Sequence, residues 1–186
     1  MKRCWITNRK LFASTEEMVA KAAAASGLSM VQVREKDLSA RSLIEIVRLF
    51  LESMPGTPII VNTRLDVALA ARAQGVHLPD GSPPPESLRR ICPPGFLIGV
   101  SCHSIEGLTA AGSEGADYAF LAPVFEPLSK ESTLPPLGLD YLARACRASN
   151  IPVYALGGIS RANEDQCLAA GAAGVGGISL LSGLGG

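Results

Sequence analysis

Eight short apolar segments recur along this chain, and a longer segment with helically spaced apolar residues follows nearly every one. This alternation is typical of parallel sheets, in which each helix makes a right-handed crossover to the next strand. The predicted strands are 3–7, 30–34, 58–62, 75–78, 97–101, 118–122, 152–156 and 174–179. The predicted helices are 14–26, 39–54, 64–73, 85–91, 104–113, 138–149 and 161–170.

Eight strands in 186 residues favour a single α/β domain, 1–186, folded as a compact (β/α)8 TIM barrel. The other architecture that fits the alternation is an open, doubly wound sheet. The first strand is not followed by GxGxxG, which argues against the dinucleotide-binding version of that sheet. Little chain follows the last strand, so we expect a short or truncated final helix and a homodimer that covers this region.

The composition excludes several classes of function. Hydrophobic residues make up 47% of the chain and charged residues 18%, which fits a large buried core. The 17 basic and 17 acidic side chains balance, so no overall positive charge attracts nucleic acid or an anionic membrane. Membrane-spanning length, roughly 18 apolar residues, is not approached, and no signal-peptide pattern is present. Together with five scattered cysteines, expected to be free thiols, this predicts a cytoplasmic protein.

The second predicted strand ends in charge, in the sequence MVQVREK at 30–36. Because strand side chains alternate between faces, Gln32, Arg34 and Lys36 should lie on one face. Two cations at the end of a buried strand are costly unless an anion meets them, so the segment predicts an anion site. The alternative is a pair of surface cations beside their acidic neighbours, which would contribute little.

Two similar glycine-rich turns, Gly157-Gly158-Ile159-Ser160 and Gly176-Gly177-Ile178-Ser179, lie at the ends of the last two strands. Glycine lets a ligand approach the backbone closely. In a (β/α)8 barrel the loops after these strands are the recurrent phosphate site, so the pair predicts a phosphorylated ligand. The alternative is that small residues only relieve crowding where the barrel closes.

Other polar residues at predicted strand ends have more than one interpretation. Asn62 is able to read the edge of a heterocycle or to cap the next helix, and Ser101 has the same ambiguity. His77 is predicted to be a hydrogen-bonded barrel residue rather than an acid–base catalyst. Cys102 is expected to be a small buried apolar residue, and His103 is assigned no role.

A long loop, 125–137, follows the sixth predicted strand and contains Lys130. Loops of this length at the functional face of a barrel often act as lids. Lys130 would join Arg34 and Lys36 in a second anion site, or would remain a solvated side chain. No nucleophile–base pair is apparent among these candidates.

In order along the chain, these motifs resemble those of thiamine phosphate synthase and its relatives, which include the TenI-like thiazole tautomerases. Each motif alone is a weak signal, whereas the ordered series is specific and runs nearly end to end. The matching segments are Ile6-Thr7-Asn8-Arg9, Gln32-Val33-Arg34-Glu35-Lys36, Asn62-Thr63-Arg64-Leu65-Asp66-Val67-Ala68, Gly75-Val76-His77-Leu78, Gly99-Val100-Ser101-Cys102-His103-Ser104, Ala116-Asp117-Tyr118, Ala122-Pro123-Val124-Phe125, Gly157-Gly158-Ile159 and Ile178-Ser179.

The resemblance implies a barrel that joins two thiamine precursors. Hydroxymethylpyrimidine pyrophosphate would lose pyrophosphate, and the nitrogen of hydroxyethylthiazole phosphate would attack the same methylene. The aminopyrimidine stabilises a developing carbocation, so the enzyme need not supply a nucleophile. Carried over by position, the implied catalytic residues are Arg34, Lys36 and Lys130, which hold pyrophosphate together with Gln32 and Ser129. Asn62 and Ser101 are implied to contact the pyrimidine or its leaving group, and the implied thiazole phosphate contacts are Gly158, Ile178 and Ser179.

The resemblance also implies Mg²⁺, but the positions of its ligands depart from the family pattern. The synthases have aspartate directly after the asparagine, where this chain has Thr63, and a second aspartate where it has Ser82. The pyrophosphate loop also has Pro127 in place of a threonine. Loss of a divalent ion removes several kcal/mol of leaving-group stabilisation. Carboxylates that could substitute are Asp66, Asp80 and Glu86.

Three functions therefore stay open, with the synthase as the leading hypothesis. The second is a thiazole tautomerase, which in the TenI branch uses a histidine where this chain has Pro123. Proline does not transfer protons, so His77 would have to reach the thiazole instead. The third is a non-catalytic, regulatory barrel that binds thiazole phosphate or thiamine phosphate.

Overall fold

The computed structural model describes residues 2–126 and 134–181. Within these ranges, strands and helices alternate in the predicted order. The strands are β1 (Lys2–Ile6), β2 (Leu28–Val33), β3 (Ile59–Asn62), β4 (Gly75–Leu78), β5 (Leu97–Cys102), β6 (Tyr118–Leu121), β7 (Val153–Ala155) and β8 (Gly174–Gly177). The helices are α1 (Thr15–Ala24), α2 (Ala40–Ser53), α3 (Leu65–Ala71), α4 (Pro85–Arg89), α5 (Ile105–Ser113), α6 (Gly138–Ala148) and α7 (Glu164–Ala169), and a 3₁₀ turn spans Arg9–Leu11.

The strands form a closed parallel barrel in sequence order, because β1 pairs with β2 on one side and with β8 on the other. This confirms the (β/α)8 prediction and excludes the open, doubly wound sheet. The closing seam is tight, since a Cβ atom at Gly174 would lie 2.7 Å from a ring carbon of Tyr154 and closer still to the carbonyl oxygen of Lys2. Glycine at this position therefore allows the last strand to pair with the first.

Alternating strand side chains form two apolar layers. One layer packs between strands and helices, where the ring of Trp5 in β1 lies 6.1 Å from that of Phe50 in α2. Burial of each large apolar side chain in this layer contributes roughly 1.5–3 kcal/mol. The other layer comprises Cys4, Ile6, Met30, Ile60, Tyr118, Phe120 and Tyr154. The barrel interior is therefore a packed core.

The chain leaves β2 earlier than predicted, before Arg34. Glu35 turns into the protein, where it is 6% exposed. Its carboxylate accepts a 2.6 Å hydrogen bond from Thr7 Oγ1 and a 2.9 Å hydrogen bond from the backbone N–H of Arg9. The predicted alternation therefore stops here, and Lys36 does not continue the face on which Arg34 lies.

The other predicted strands and helices are present with small shifts in bounds. For example, β8 ends two residues before its predicted limit, and α7 begins three residues after its predicted start. All five cysteines are free, as predicted, and Cys102 is buried. Over the described ranges, no helix is both long enough and apolar enough to cross a membrane. The expected short final helix falls on 182–186, which lie outside the described residues.

Thr63, directly after β3, has a left-handed backbone with φ of 65°. This conformation is strained for a β-branched residue. The Thr63 N–H donates to the carbonyl of His77 at 2.8 Å, which holds the turn against β4. Among the described residues, its exposed side chain makes one hydrogen bond, a long 3.4 Å contact with Asn62 Oδ1. The strain is therefore poorly offset by side-chain contacts.

We predict that Thr63→Asn raises the free energy of unfolding by about 1 kcal/mol, because asparagine tolerates the left-handed region. Chemical denaturation monitored by circular dichroism measures this difference. The control, Thr63→Val, keeps the branched shape and should give no gain. An asparagine variant no more stable than the wild type would contradict the prediction.

Candidate active site

A cavity of about 670 Å³ opens at the carboxyl ends of the strands. Barrels of this architecture bind ligands at that face. Each of the eight strands, or the turn after it, contributes to the lining. The polar side chains of the lining are Asn8, Gln32, Arg34, Asn62, His77, Ser101, His103 and Ser179.

Most of the site residues implied by the sequence line this one cavity. They are Gln32, Arg34, Asn62, Ser101, Gly158, Ile178 and Ser179. Lys36 is exposed and is not among the lining residues, because the chain has already left β2. Arg34 therefore lies where the anion-site interpretation requires it, whereas Lys36 could meet an anion only from outside the lining of this cavity. Ser129 and Lys130 lie outside the described residues.

Gln32 and Asn62 form a pair of side-chain amides on neighbouring strands. Asn62 Nδ2 donates to Gln32 Oε1 at 3.3 Å. Gln32 is 2% exposed, and its Nε2 has no hydrogen-bond partner among the described residues. A buried donor without a partner is costly, so this amide is suited to donate to a ligand. The helix-capping alternative for Asn62 is wrong, because α3 has no side-chain cap.

The two glycine-rich turns supply backbone donors at another part of the lining. The N–H groups of Gly158, Ile159, Ile178 and Ser179 have no hydrogen-bond partner within the ranges the structure describes. Ser179 Oγ donates to the Ile159 carbonyl at 3.0 Å, and Trp5 Nε1 donates to the Ile178 carbonyl at 3.1 Å. These bonds hold the turns together and against β1. Clustered backbone N–H groups of this kind favour phosphate binding.

Gly157 and Gly158 are also required by packing. Their φ angles are 93° and 63°. A Cβ atom at Gly157 would lie 2.6 Å from Pro123 Cβ, and one at Gly158 would lie 2.8 Å from Phe125 Cβ. Crowding therefore also explains the glycines of this turn, and it does not conflict with phosphate binding by the N–H of Gly158. At Gly176 an added Cβ would meet only ordinary contacts of 3.4 Å or more, so crowding does not explain the second turn.

His77 is a buried barrel residue whose two ring nitrogens are both engaged. Its Nδ1 lies 3.2 Å from the Tyr118 hydroxyl, and its Nε2 lies 2.9 Å from Ser101 Oγ. Burial lowers the pKa of His77 to about 3, so the ring is neutral at physiological pH. This confirms that His77 is a hydrogen-bonded barrel residue. Ser101 does not cap the next helix, because Ser104 does so.

The sequence interpretation missed His103, which lines the cavity. Its Nδ1 lies 2.7 Å from the carbonyl oxygen of Ala122. A carbonyl only accepts, so Nδ1 carries a proton, and Nε2 has no hydrogen-bond partner among the described residues. The available signal was strand alternation, which places His103 on the same face as Ser101, two residues earlier.

The described lining of the cavity includes one cation, Arg34, and no carboxylate. The carboxylates that could substitute as magnesium ligands, Asp66, Asp80 and Glu86, do not line it. Asp66 accepts a 2.8 Å hydrogen bond from Arg64 Nε, and this interaction lowers the pKa of Asp66. In the described ranges, no group of three His, Cys, Asp or Glu side chains could hold a metal ion. These residues therefore do not fit a protein-held Mg²⁺.

The chain resembles one group of known proteins along most of its length. The family model for thiamine monophosphate synthase matches residues 4–181. A Geobacter sulfurreducens protein is 46% identical over 165 residues, covering 88% of this chain and 78% of the relative. A thiamine-phosphate synthase from Methanoculleus marisnigri is 43% identical over 173 residues, covering 92% and 82%. The solved thiamine phosphate pyrophosphorylase from Pyrococcus furiosus is 32% identical, with a TM-score of 0.84, covering 96% of this chain and 85% of that one.

We predict that Arg34→Ala weakens the binding of inorganic pyrophosphate at least roughly tenfold, because a close ion pair contributes a few kcal/mol at an effective dielectric constant near ~20. Lys36→Ala should weaken binding less, since ordering an exposed lysine costs up to about 2 kcal/mol of side-chain entropy. Isothermal titration calorimetry measures both. The control is Arg147→Ala, which removes an exposed cation from the last turn of α6, at the far end of the barrel. Equal effects of the Arg34 and Arg147 variants would contradict the prediction.

Proposed function

Because the chain belongs to the thiamine monophosphate synthase family, we propose that it condenses hydroxymethylpyrimidine pyrophosphate with hydroxyethylthiazole phosphate. The products are thiamine phosphate and pyrophosphate. The observation that carries the proposal is one cavity that offers both Arg34 and the backbone donors of the two glycine-rich turns. Each substrate brings one anionic group, so two anion-binding regions in a shared cavity suit this pair.

The proposed reaction breaks the bond between the pyrimidine methylene carbon and a pyrophosphate oxygen, and the electron pair leaves with pyrophosphate. The lone pair of the thiazole nitrogen then forms the new carbon–nitrogen bond. Neither step needs a protein nucleophile or a protein base. The described cavity is compatible with this, since its lining lacks a carboxylate, its buried His77 has both nitrogens engaged, and its other histidine, His103, is not required for either step. The protein contributes orientation and stabilisation of the leaving charge.

Each group of residues has its own part in the proposal. The pyrophosphate group comprises Gln32, Arg34, Lys36, Ser129 and Lys130. Asn62 and Ser101 would contact the pyrimidine or its leaving pyrophosphate, and the thiazole phosphate contacts are Gly158, Ile178 and Ser179. The proposal also includes the cytoplasmic location and the homodimer expected from the sequence.

The described residues do not fit a magnesium-binding site. Mg²⁺ is usually held by one or two carboxylates together with substrate phosphates. Here Thr63 and Ser82 stand at the implied ligand positions, and Ser82 Oγ donates instead to the Pro79 carbonyl at 2.7 Å. We therefore assign the neutralisation of the leaving pyrophosphate to fixed cations, with Arg34 in place in the cavity.

A second candidate function, thiazole tautomerisation, is favoured by the position of His103. That reaction moves a proton within one molecule, and it needs a base that reaches the ligand. His77 does not serve, because both its nitrogens are engaged. His103 lines the cavity, its Nδ1–H donates to the carbonyl of Ala122, next to Pro123, and its Nε2 is the nitrogen available to act as a base.

We predict that the protein, given both precursors, releases one pyrophosphate for each thiamine phosphate formed. Because no described carboxylate lines the cavity, the rate should change less than about tenfold between excess Mg²⁺ and EDTA, which corresponds to less than 1.4 kcal/mol. Coupled pyrophosphate detection and chromatography of the product measure both quantities. Complete loss of turnover in EDTA would contradict the metal part of the prediction and leave the condensation supported.

The same samples separate the alternatives. An absorbance change with the thiazole tautomer alone, abolished in His103→Gln, would favour the tautomerase. Binding of thiamine phosphate without turnover of any precursor would favour the regulatory barrel. The wild type should show neither pattern if the condensation is its function, and Arg34→Ala provides the matched low-activity control.

A further inference from the structure

Three polar side chains form a hydrogen-bonded chain from the barrel interior to the cavity. The Tyr118 hydroxyl lies 3.2 Å from His77 Nδ1, and His77 Nε2 lies 2.9 Å from Ser101 Oγ. Tyr118 is 4% exposed and His77 is 1% exposed, whereas Ser101 is half-buried at the cavity. The proposed condensation requires no proton transfer from these three side chains.

The protons of these three hydrogen-bonded side chains have two possible arrangements, because a neutral imidazole has one N–H and one lone pair. In the first, Tyr118 donates to Nδ1 and Nε2–H donates to Ser101 Oγ, which leaves the Ser101 O–H to donate into the cavity. In the second, Ser101 donates to Nε2 and Nδ1–H donates to Tyr118. The second leaves the phenol proton of Tyr118 to find another acceptor.

The surroundings of Tyr118 favour the first arrangement. Its hydroxyl has no hydrogen-bond partner other than His77 among the described residues. Burial raises the pKa of Tyr118 well above its ordinary value, so the phenol keeps its proton. A buried O–H without an acceptor is costly. Donation from Tyr118 to His77 avoids that cost, while the Ser101 O–H faces the cavity, where a ligand or water accepts it.

Packing fixes the chain in place. A Cβ atom at Gly99 would lie 2.5 Å from the Tyr118 hydroxyl oxygen, so only glycine leaves room for the phenol. The His77 ring stacks on Phe120 with centroids 4.5 Å apart. These contacts hold the two rings at the positions where the hydrogen bonds form.

We infer that Tyr118 and His77 are positioning residues that fix Ser101 as a hydrogen-bond donor to the ligand. The group bound at Ser101 must then be an acceptor, either a phosphate oxygen or an unprotonated ring nitrogen. Only one test of this inference, the KM measurement with the pyrimidine substrate, rests on the proposed function. The protonation of His77 is independent of any function.

Nitrogen-15 NMR of the imidazole rings tests the arrangement directly. The chain has two histidines, so His103→Gln leaves His77 as the single signal to assign. We expect the Nε2–H form of His77, unchanged between pH 5 and pH 8. Observation of the Nδ1–H form would overturn the inference. In Tyr118→Phe, we expect the Nδ1 signal to shift because its hydrogen-bond donor is gone.

A double-mutant cycle tests the effect on the ligand. We expect Tyr118→Phe to raise KM for the pyrimidine substrate about fivefold in the wild type and less than about twofold in Ser101→Ala, with kcat affected less than KM. Equal factors in the two backgrounds would indicate a merely structural role and overturn the inference. The control is Tyr154→Phe, which removes another hydroxyl from the barrel interior and should leave KM unchanged in both backgrounds.

Binding titrations with inorganic pyrophosphate and with the pyrimidine alcohol separate the two kinds of acceptor. A Ser101→Ala loss confined to pyrophosphate assigns a phosphate oxygen, and a loss confined to the alcohol assigns a ring nitrogen. A loss for neither ligand would overturn the inference. If the wild type forms no thiamine phosphate, the proposed function fails, while the NMR result and these titrations still decide the role of the chain.

Discussion

The pairing of β8 with β1 is the constraint on which the cavity depends. Trp5 lies opposite Gly177 in this pairing, and its indole donates to the Ile178 carbonyl, which fixes the turn after β8 beside the end of β1. Arg34 follows the next strand around the ring. In an open sheet with the same strand order, β8 and β2 would lie near opposite edges. Closure of the barrel is therefore what brings the cation and the backbone donors into one cavity.

The fold was predictable because the alternation of strands and helices is a local pattern. The point at which β2 ends was not predictable in this way. Alternation correctly placed Gln32 and Arg34 in the cavity. It failed at Lys36, because Glu35 turns inward to bind Thr7 Oγ1, a contact across 28 residues. A buried carboxylate that satisfies two donors outweighs continuation of the strand. No local pattern in the second strand records that contact.

His103 shows a different limit of sequence-based prediction. The strand alternation that marks it was present, but the start of the next helix obscured it. His103 follows β5 and lies on the same strand face as Ser101. The next residue, Ser104, is the N-cap of α5. At a junction between strand and helix, the two periodicities compete for the same residues. The 2.7 Å bond to the Ala122 carbonyl decides the outcome, and this partner lies 19 residues away. The anchoring of His103 is therefore a property of the pairing between β5 and β6 rather than of its own segment.

The polar groups of the cavity are mostly hydrogen-bond donors, and this imbalance accounts for the kind of ligand it suits. Arg34, Gln32 Nε2 and the N–H groups of the glycine-rich turns all donate. Ser101 joins them if the Tyr118 chain sets its proton as inferred above. Such a lining stabilises an anion whose charge grows during the reaction, as it does on a departing pyrophosphate. The same lining would repel a free metal ion, although an anion could still bring a bound metal with it. A site that has lost its carboxylates can therefore keep its hydrogen-bond donors and still bind the anion.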